Sequence, residues 1–384
     1  MVISGKPLRF LGLLLIALLP LKGLSQHAVD SVTVGDTKVT TEVEGNEATT
    51  VVSEEDKKAN ERDEFIQHHV LDSHDFTLFS YGEEGHQKHF GFPLPVILWD
   101  NGLHVFMSSA FEHETAVAES NGNYYKIHHG VIYKTDASGE IHTDEKGHAH
   151  NEKPLDFSIT KNVFMILVVG FIMLWLFSSL ARSYKKNGGI ASGAGRFMEP
   201  LILYIRDEIA IPNIGEKHYK KYMSHLLTIF FFVWFLNMFG LTPLGVNVTG
   251  NITITAALAI LTYVITTTTA KKDYWKHIFW MPGVPYPMRV ILAPIELLGT
   301  IIKPFSLMIR LYANMLAGHF VLMAIIALMY AASHPVGSPL AFVLAFVLSL
   351  LEILVALLQA YIFTMLSALY FGSASEEHAH DDHH

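Results

Sequence analysis

The chain has 384 residues, of which 51% are hydrophobic and only 16% charged, and its mean hydropathy is positive. Soluble globular chains are nearer a quarter charged, so the composition points to a membrane protein. A formal net charge of −9 gives no basic footprint for nucleic acid, and the absence of cysteine excludes disulfide and thiolate chemistry.

Charge is distributed unevenly. Residues 26–156 hold 25 Asp/Glu against 9 Lys/Arg, a net of −16, whereas residues 157–384 hold 11 against 15, a net of +4. Such asymmetry marks two segments in different surroundings, an acidic part in water and a part that mostly faces hydrocarbon.

Residues 1–25 read as a secretory signal peptide. Lys6 and Arg9 make a positive start, an apolar run covers Phe10 to Leu19, and the small residues Gly23 and Ser25 place cleavage before Gln26. Residues 26–60 are rich in Thr, Val and charge and read as a linker. The segment 61–156 differs. PLPVILWDNGLHVFM (93–107) predicts two strands around a turn at Asp100-Asn101-Gly102, and NGNYYKIHHGVIY (121–133) predicts further strand. The acidic region 26–156 is thus expected to be an exported extension with some β-structure.

The membrane region begins near Ile159. Residues 162–181 contain no Asp, Glu, Lys or Arg and suffice for one helix across a core of about 30 Å. Residues 183–222 mix apolar clusters with charge and Pro212, the pattern of an interfacial amphipathic helix and a connector. Residues 222–270 lack Asp, Glu, Lys and Arg altogether, with turn chemistry at 242–251, and predict a helical hairpin. A basic, aromatic and proline-rich loop follows at 271–289. Two long helices over about 290–332 and 339–373 are joined by SHPVGSP (333–339). Forty residues at about 1.5 Å each far exceed the bilayer core, so these two must tilt strongly, kink or lie partly along the membrane. Lys and Arg concentrate in 182–222 and 271–289, which places those segments in the cytoplasm. Five spans then leave the acidic domain outside and the C-terminus inside, as the signal peptide independently requires. The expected fold is an all-α multispanning membrane protein with five helices, the last two a tilted antiparallel hairpin, plus a small exported domain.

Charge inside a membrane helix is costly and usually functional. The candidates are Glu296, Lys303, Arg310, His319 and Glu352, with Asn314 and Gln359 as polar companions. Arg310 stays protonated and so must face a partner or water. At about 100° per residue, Glu296, Lys303, Ser306, Arg310 and Asn314 share one helical stripe. His319 points to the opposite side, about 13 Å further along the axis. On the last helix Gln359 follows Glu352 by two turns on the same face. An antiparallel pairing predicts that Glu352 approaches His319 and Gln359 approaches Arg310. The bland alternative is a buried structural ion pair between Arg310 and Glu352, which leaves the stripe and the second titratable pair unexplained.

Three segments carry a family resemblance. SLMIRLYANMLAGH (306–319) resembles the arginine helix of F-type ATP synthase subunit a. LEILVALLQAYIFTMLSALYFGSASEEH (351–378) resembles the last helix of that family, and WFLNMFGLTP (234–243) its first hairpin helix. The resemblance spans about residues 157–378, with 379–384 left as a cytoplasmic tail. It implies that Arg310 faces the carboxylates of a rotating ring of c subunits, with Gln359 and Asn314 beside it. It further implies that His319 and Glu352 line an outer half-channel, and that Ser306, Lys303 and Glu296 lie near an inner one. Many bacterial members carry Glu then His where this chain has His319 then Glu352. The implied partners are the c ring, b-type stator subunits and membrane lipid in a bacterial inner membrane. No cofactor is implied, and the chain has no GxxxxGK[ST] nucleotide loop. Proton is the default coupling ion and sodium the alternative.

The resemblance does not account for 26–156. Shielding the outer channel mouth and bracing a stator neighbour are both open as roles for it. Thirteen of the 22 histidines lie between His27 and His150, without a clear tetrahedral metal-ligand spacing. Two rival functions make different demands. A secondary transporter would show inverted repeats, which the hydropathy pattern lacks. A membrane-anchored binding protein would have no use for Arg310 and Glu352.

Overall fold

A computed structural model describes residues 72–375, apart from 82–87, 113–115, 129, 144–148, 189, 191–192, 243–245, 281–284 and 332–336. The expected signal peptide (1–25), the linker (26–60) and the tail (379–384) lie outside the described residues. Contacts divide the described chain into two compact units, one made of 72–161 with 318–349 and the other of 162–317 with 350–375.

The first unit contains eight short strands: β1 (Asp75–Tyr81), β2 (Lys88–Pro93), β3 (Pro95–Trp99), β4 (Leu103–Met107), β5 (Ala118–Ser120), β6 (Asn123–His128), β7 (Val131–Thr135) and β8 (Leu155–Asp156). They form three antiparallel sheets in the orders β1-β2, β4-β3-β8 and β5-β6-β7. The turn expected at Asp100-Asn101-Gly102 joins β3 to β4, closing on the pair Trp99–Leu103, with Asn101 at a positive φ of 52°. The two residues between β5 and β6, Asn121 and Gly122, have φ of 53° and 81°. Positive φ at both positions is the tight hairpin geometry that Asn-Gly favours. Alternate residues of β3, Val96 and Leu98, turn inward and join Phe111, Ala118, Tyr125, Ile127 and Ile132 in one buried cluster.

Charge inside this unit is partnered. The Asp100 carboxylate is 2.7 Å from the Lys134 ammonium and accepts a hydrogen bond from the Tyr125 hydroxyl at 3.1 Å. The Lys134 ammonium holds the Asp100 carboxyl below its usual range, and burial pushes the Tyr125 hydroxyl up to about 12. Buried His104 bridges Ser120 and the carbonyl of Asp100, and buried His74 lies 3.0 Å from Asp156. Among the described residues no three His, Asp or Glu side chains converge as a metal site.

The second unit is helical. Its elements are α1 (Lys161–Lys186, whose first residue belongs to the other unit), α2 (Ala194–Tyr204), a π-helical turn (Ile205–Ala210), α3 (Ile211–Ile214), α4 (Tyr219–Gly240), α5 (Ile252–Thr269) and α6 (Lys272–Phe279). The remaining helices, α7 (Tyr286–Ala331) and α8 (Gly337–Ser375), run through both units. Five of them, α1, α4, α5, α7 and α8, are long and apolar enough to cross a membrane. At about 1.5 Å per residue α7 is roughly 69 Å long, so it cannot stand upright in a bilayer core. Two refinements of the sequence reading emerge. The loop at 271–289 contains the short helix α6, which places Asp273 in its first turn and Lys276 and His277 in its last, as the helix dipole favours. The segment at 194–214 is helical throughout and buries Met198, Ile202, Ile205, Ile209 and Ile214, so its apolar face is covered by protein.

α4 forms the centre of this unit because it is apolar all round, and Leu226, Ile229 and the run Phe230 to Val233 are all buried. Tyr222 stacks on Phe371 of α8 with ring centroids 4.5 Å apart, and Phe177 of α1 meets Phe231 edge-on at 5.4 Å. The turn after α4 is held by side-chain amides. Asn247 and Asn251 accept from the backbone N–H groups of Gly250 and Thr253, and the Thr249 hydroxyl donates to Asn237 at 2.6 Å. These bonds satisfy polar groups that would otherwise face hydrocarbon.

Candidate functional site

Leu307, Leu311, Met315 and Thr300 are buried along one side of α7, while Ile295, Leu298, Ile302, Phe305 and Ile309 are exposed along another. The helical period that separates these faces puts Glu296, Lys303, Ser306, Arg310 and Asn314 between them. Glu296, Lys303 and Arg310 are half-buried, and Ser306 and Asn314 exposed. The stripe therefore runs along the boundary between the protein core and an open apolar face. A cation placed there can meet a group arriving from outside the chain. Arg310 makes no hydrogen bond or ion pair among the described residues.

The opposing side of α8 is also ordered by period. Glu352, Ala356, Gln359, Ala360 and Phe363 form its buried seam, whereas Leu350, Leu351, Leu354 and Leu358 are exposed. The small residues Ala356 and Ala360 permit close approach of the helices. The Asn314 amide donates to the Gln359 side-chain oxygen at 2.9 Å. Eleven residues away on each helix, the Tyr370 hydroxyl donates to the Lys303 carbonyl at 3.4 Å, and the Lys303 ammonium lies 5.8 Å from the Tyr370 ring centre. Equal spacing on both strands of the pair defines one antiparallel register. That register sets Arg310 opposite Phe363, one turn from Gln359. The hydrogen-bond partner of Gln359 is Asn314, and Arg310, which the sequence geometry brings near Gln359, lies one turn along the pair.

Glu352 is 5% exposed, and neither of its carboxylate oxygens has a hydrogen-bond partner among the described residues. Burying an unpartnered carboxyl is costly, so its retention suits a group that gains and loses a proton. His319 is buried in the other compact unit.

A feature that the sequence reading missed lies around Lys303. A small cleft, partly open to solvent, is lined by Thr262 and Thr266 of α5, Tyr274 of α6, Thr300 and Lys303 of α7, and Tyr370 and Ser373 of α8. It belongs to the end of the helices that carries the basic segments. The signal was present in α5, where Thr255, Thr262 and Thr266 fall on one buried helical face. Their hydroxyls donate back to carbonyls one turn earlier, which lets them sit in an apolar helix without a distant partner.

A family model described as ATP synthase A chain matches residues 163–372, and a second, described as a domain of unknown function, matches residues 65–157. Proteins named ATP synthase subunit a are similar to this chain. The one from Anaeromyxobacter sp. (strain Fw109-5) is 37% identical over 269 residues, covering 66% of this chain and 64% of that protein. The one from Myxococcus xanthus (strain DK1622) is 42% identical over 237 residues, covering 60% and 77%. A protein named ATP synthase subunit a 2 from Prosthecochloris aestuarii (strain DSM 271 / SK 413) is 34% identical over 308 residues, covering 76% and 94%. The chain spans 64% and 61% of the two Anaeromyxobacter relatives from Fw109-5 and 2CP-C.

Proposed function

The chain belongs to the ATP synthase A chain family, and we propose that it is subunit a of an F-type ATP synthase, carrying protons to and from a rotating ring of c subunits. The observation that carries this reading is Arg310 on the open edge of α7, without a hydrogen bond or ion pair among the described residues, beside the Asn314–Gln359 clamp. A fixed cation on that edge is placed for an acid that arrives from another subunit.

The chemistry follows from solvation. An ionised carboxylate on the ring cannot face lipid, whereas a protonated one can at tolerable cost. In this reading Glu352 and His319 serve the outer path, as titratable side chains that can take up and pass on a proton. The ring acid, once neutral, leaves the protein edge and turns through lipid. On its return it loses the proton toward the inner side, along the stripe of Glu296, Lys303 and Ser306, of which Lys303 lines the cleft. The Arg310 guanidinium stabilises the resulting anion. It also repels a proton crossing directly between the two paths, which keeps flow coupled to rotation. The membrane potential supplies about 2.3 kcal/mol per charge per 100 mV.

In this assignment the chain is no enzyme alone and binds no nucleotide. It works with the c ring and the b-type stator subunits in a bacterial inner membrane. The region 26–156 is exported and the C-terminus is cytoplasmic, an arrangement that the odd number of spans and the Lys/Arg bias support. The test is ATP-driven acidification of inverted membrane vesicles at equal complex abundance. Arg310→Ala abolishes acidification with assembly intact, and normal pumping in that variant overturns the reading.

A further inference from the structure

The β4-β3-β8 sheet has a second apolar face. Val96 and Leu98 point into the core, so the alternate residues point outward, and cross-strand pairing carries the outward side from strand to strand through Trp99–Leu103, Ile97–Val105, Pro95–Met107 and Trp99–Leu155. Phe157, whose N–H donates to the carbonyl of Ile97, extends the same side by one residue. An antiparallel sheet with one face on the core normally shows polar residues to water on the other. Here Trp99, Leu103, Val105, Met107, Leu155 and Phe157 are 47–59% exposed, and no Asp, Glu, Lys or Arg stands among the outward positions of the three strands. The region 26–156 that contains this face carries a net charge of −16, and none of that charge stands at these outward positions.

The chain itself limits what can cover this face. Four residues after Phe157, Lys161 begins the first membrane helix. Four extended residues reach at most roughly 14 Å, which takes the chain across a headgroup layer of about 5–8 Å and little further. The face is therefore tethered at the membrane surface. It offers a Trp and a Phe, residues suited to the boundary between water and acyl chains, flanked by aliphatic side chains. A contiguous exposed apolar patch of this kind marks an interaction site.

We propose that the outward face of the β4-β3-β8 sheet rests in the outer leaflet of the membrane, so that the exported domain lies against the bilayer as a monotopic element ahead of the first span. Lipid is the occupant because the covering phase is already fixed four residues away. The acidic remainder of the domain, repelled by anionic headgroups, leaves the uncharged sheet as the side that can approach.

The absence of cysteine makes the test direct. The full-length chain, reconstituted in phosphatidylethanolamine–phosphatidylglycerol nanodiscs, carries one environment-sensitive fluorophore at Leu103→Cys, Val105→Cys or Met107→Cys, with exposed Glu140→Cys as control. The three sheet positions are side by side on one face and each is exposed, so labelling leaves the core intact and gives three independent readings. The expected result is blue-shifted emission at 103, 105 and 107, quenched several-fold more by lipids with nitroxides near the headgroup than by aqueous iodide, and the reverse preference at 140. Iodide quenching at 105 equal to that at 140 overturns the proposal in favour of a solvent-facing sheet. Protection at 105 from both quenchers overturns it in favour of a protein occupant.

Discussion

Gly372 tests how closely the last helix must approach the rest of the bundle. A Cβ placed on it falls 2.0 Å from the backbone oxygen of Asn213 and 3.1 Å from its carbonyl carbon. Carbon and oxygen tolerate about 3.3 Å, so Gly372→Ala must separate α8 from α3 by about 1.3 Å or distort one of them. Overpacking of this kind costs about 1–3 kcal/mol. For a unit of this size that corresponds to a melting temperature lowered by roughly 3–10 °C. Function should suffer beyond stability, because Tyr370 and Ser373, within two residues of Gly372, line the cleft beside Lys303. A displacement near 1 Å there is expected to cut proton pumping by about tenfold or more at equal assembly. The opposing atom belongs to the main chain, so Asn213→Ala gives no rescue. Thermal denaturation of the solubilised chain, paired with vesicle acidification, reads both effects. A Gly372→Ala variant with parental melting temperature and pumping would refute the close contact and the reasoning built on it.

Glu352→Gln keeps the shape of a buried, unpartnered side chain and removes its ionisation. Pumping should be lost while the melting temperature holds or rises, and retained pumping removes Glu352 from the proton path. Exchange of the titratable pair, His319→Glu with Glu352→His, should leave more acidification than either single change, whereas equal loss in all three argues against a cooperating pair. Asn314→Leu and Gln359→Leu form a double-mutant cycle whose coupling should be about 0.6 kcal/mol and no more than about 1.7 kcal/mol, read from denaturation. A cycle with no coupling would show that their hydrogen bond adds nothing. The β-sheet domain should lose stability at both ends of the pH scale. Because the Lys134 ammonium lowers the Asp100 pKa on folding, that stabilisation is present above about pH 4 and disappears as pH falls through the folded value. The Tyr125 hydroxyl, raised to about 12 by burial, gives the opposite limb, lost as pH rises above about 10 toward 12. Urea titrations of the full chain with a fluorophore at Glu140→Cys follow this, and Asp100→Asn should flatten the acid limb and weaken the alkaline one, since Asp100 also helps to raise Tyr125.

Much of this molecule was legible in order of residues alone. Runs without Asp, Glu, Lys or Arg mark the first three spans, and the two long apolar stretches that follow mark the others despite the few charges they carry, because hydrocarbon excludes charge and open backbone. Asp100-Asn101-Gly102 locates the turn between β3 and β4 because few residues accept positive φ, whereas the turn at Asn121-Gly122 was hidden in a segment read as strand. Arg310 and Glu352 stood out as candidates because nothing else explains charge in such helices. Side-chain partners were a different matter, since they depend on register between helices far apart in sequence. The pairing of Asn314 with Gln359 follows from how α7 and α8 slide against each other, which small residues on α8 and the contact between Lys303 and Tyr370 determine. The Thr-lined cleft likewise needs four helices to converge, although each contributes an ordinary pattern. The second apolar face of the β4-β3-β8 sheet was hidden for the same reason. Leu103, Val105 and Met107 read as half of a strand's alternation, and only the cross-strand pairing brings them beside Trp99 and Leu155 on the side away from the core.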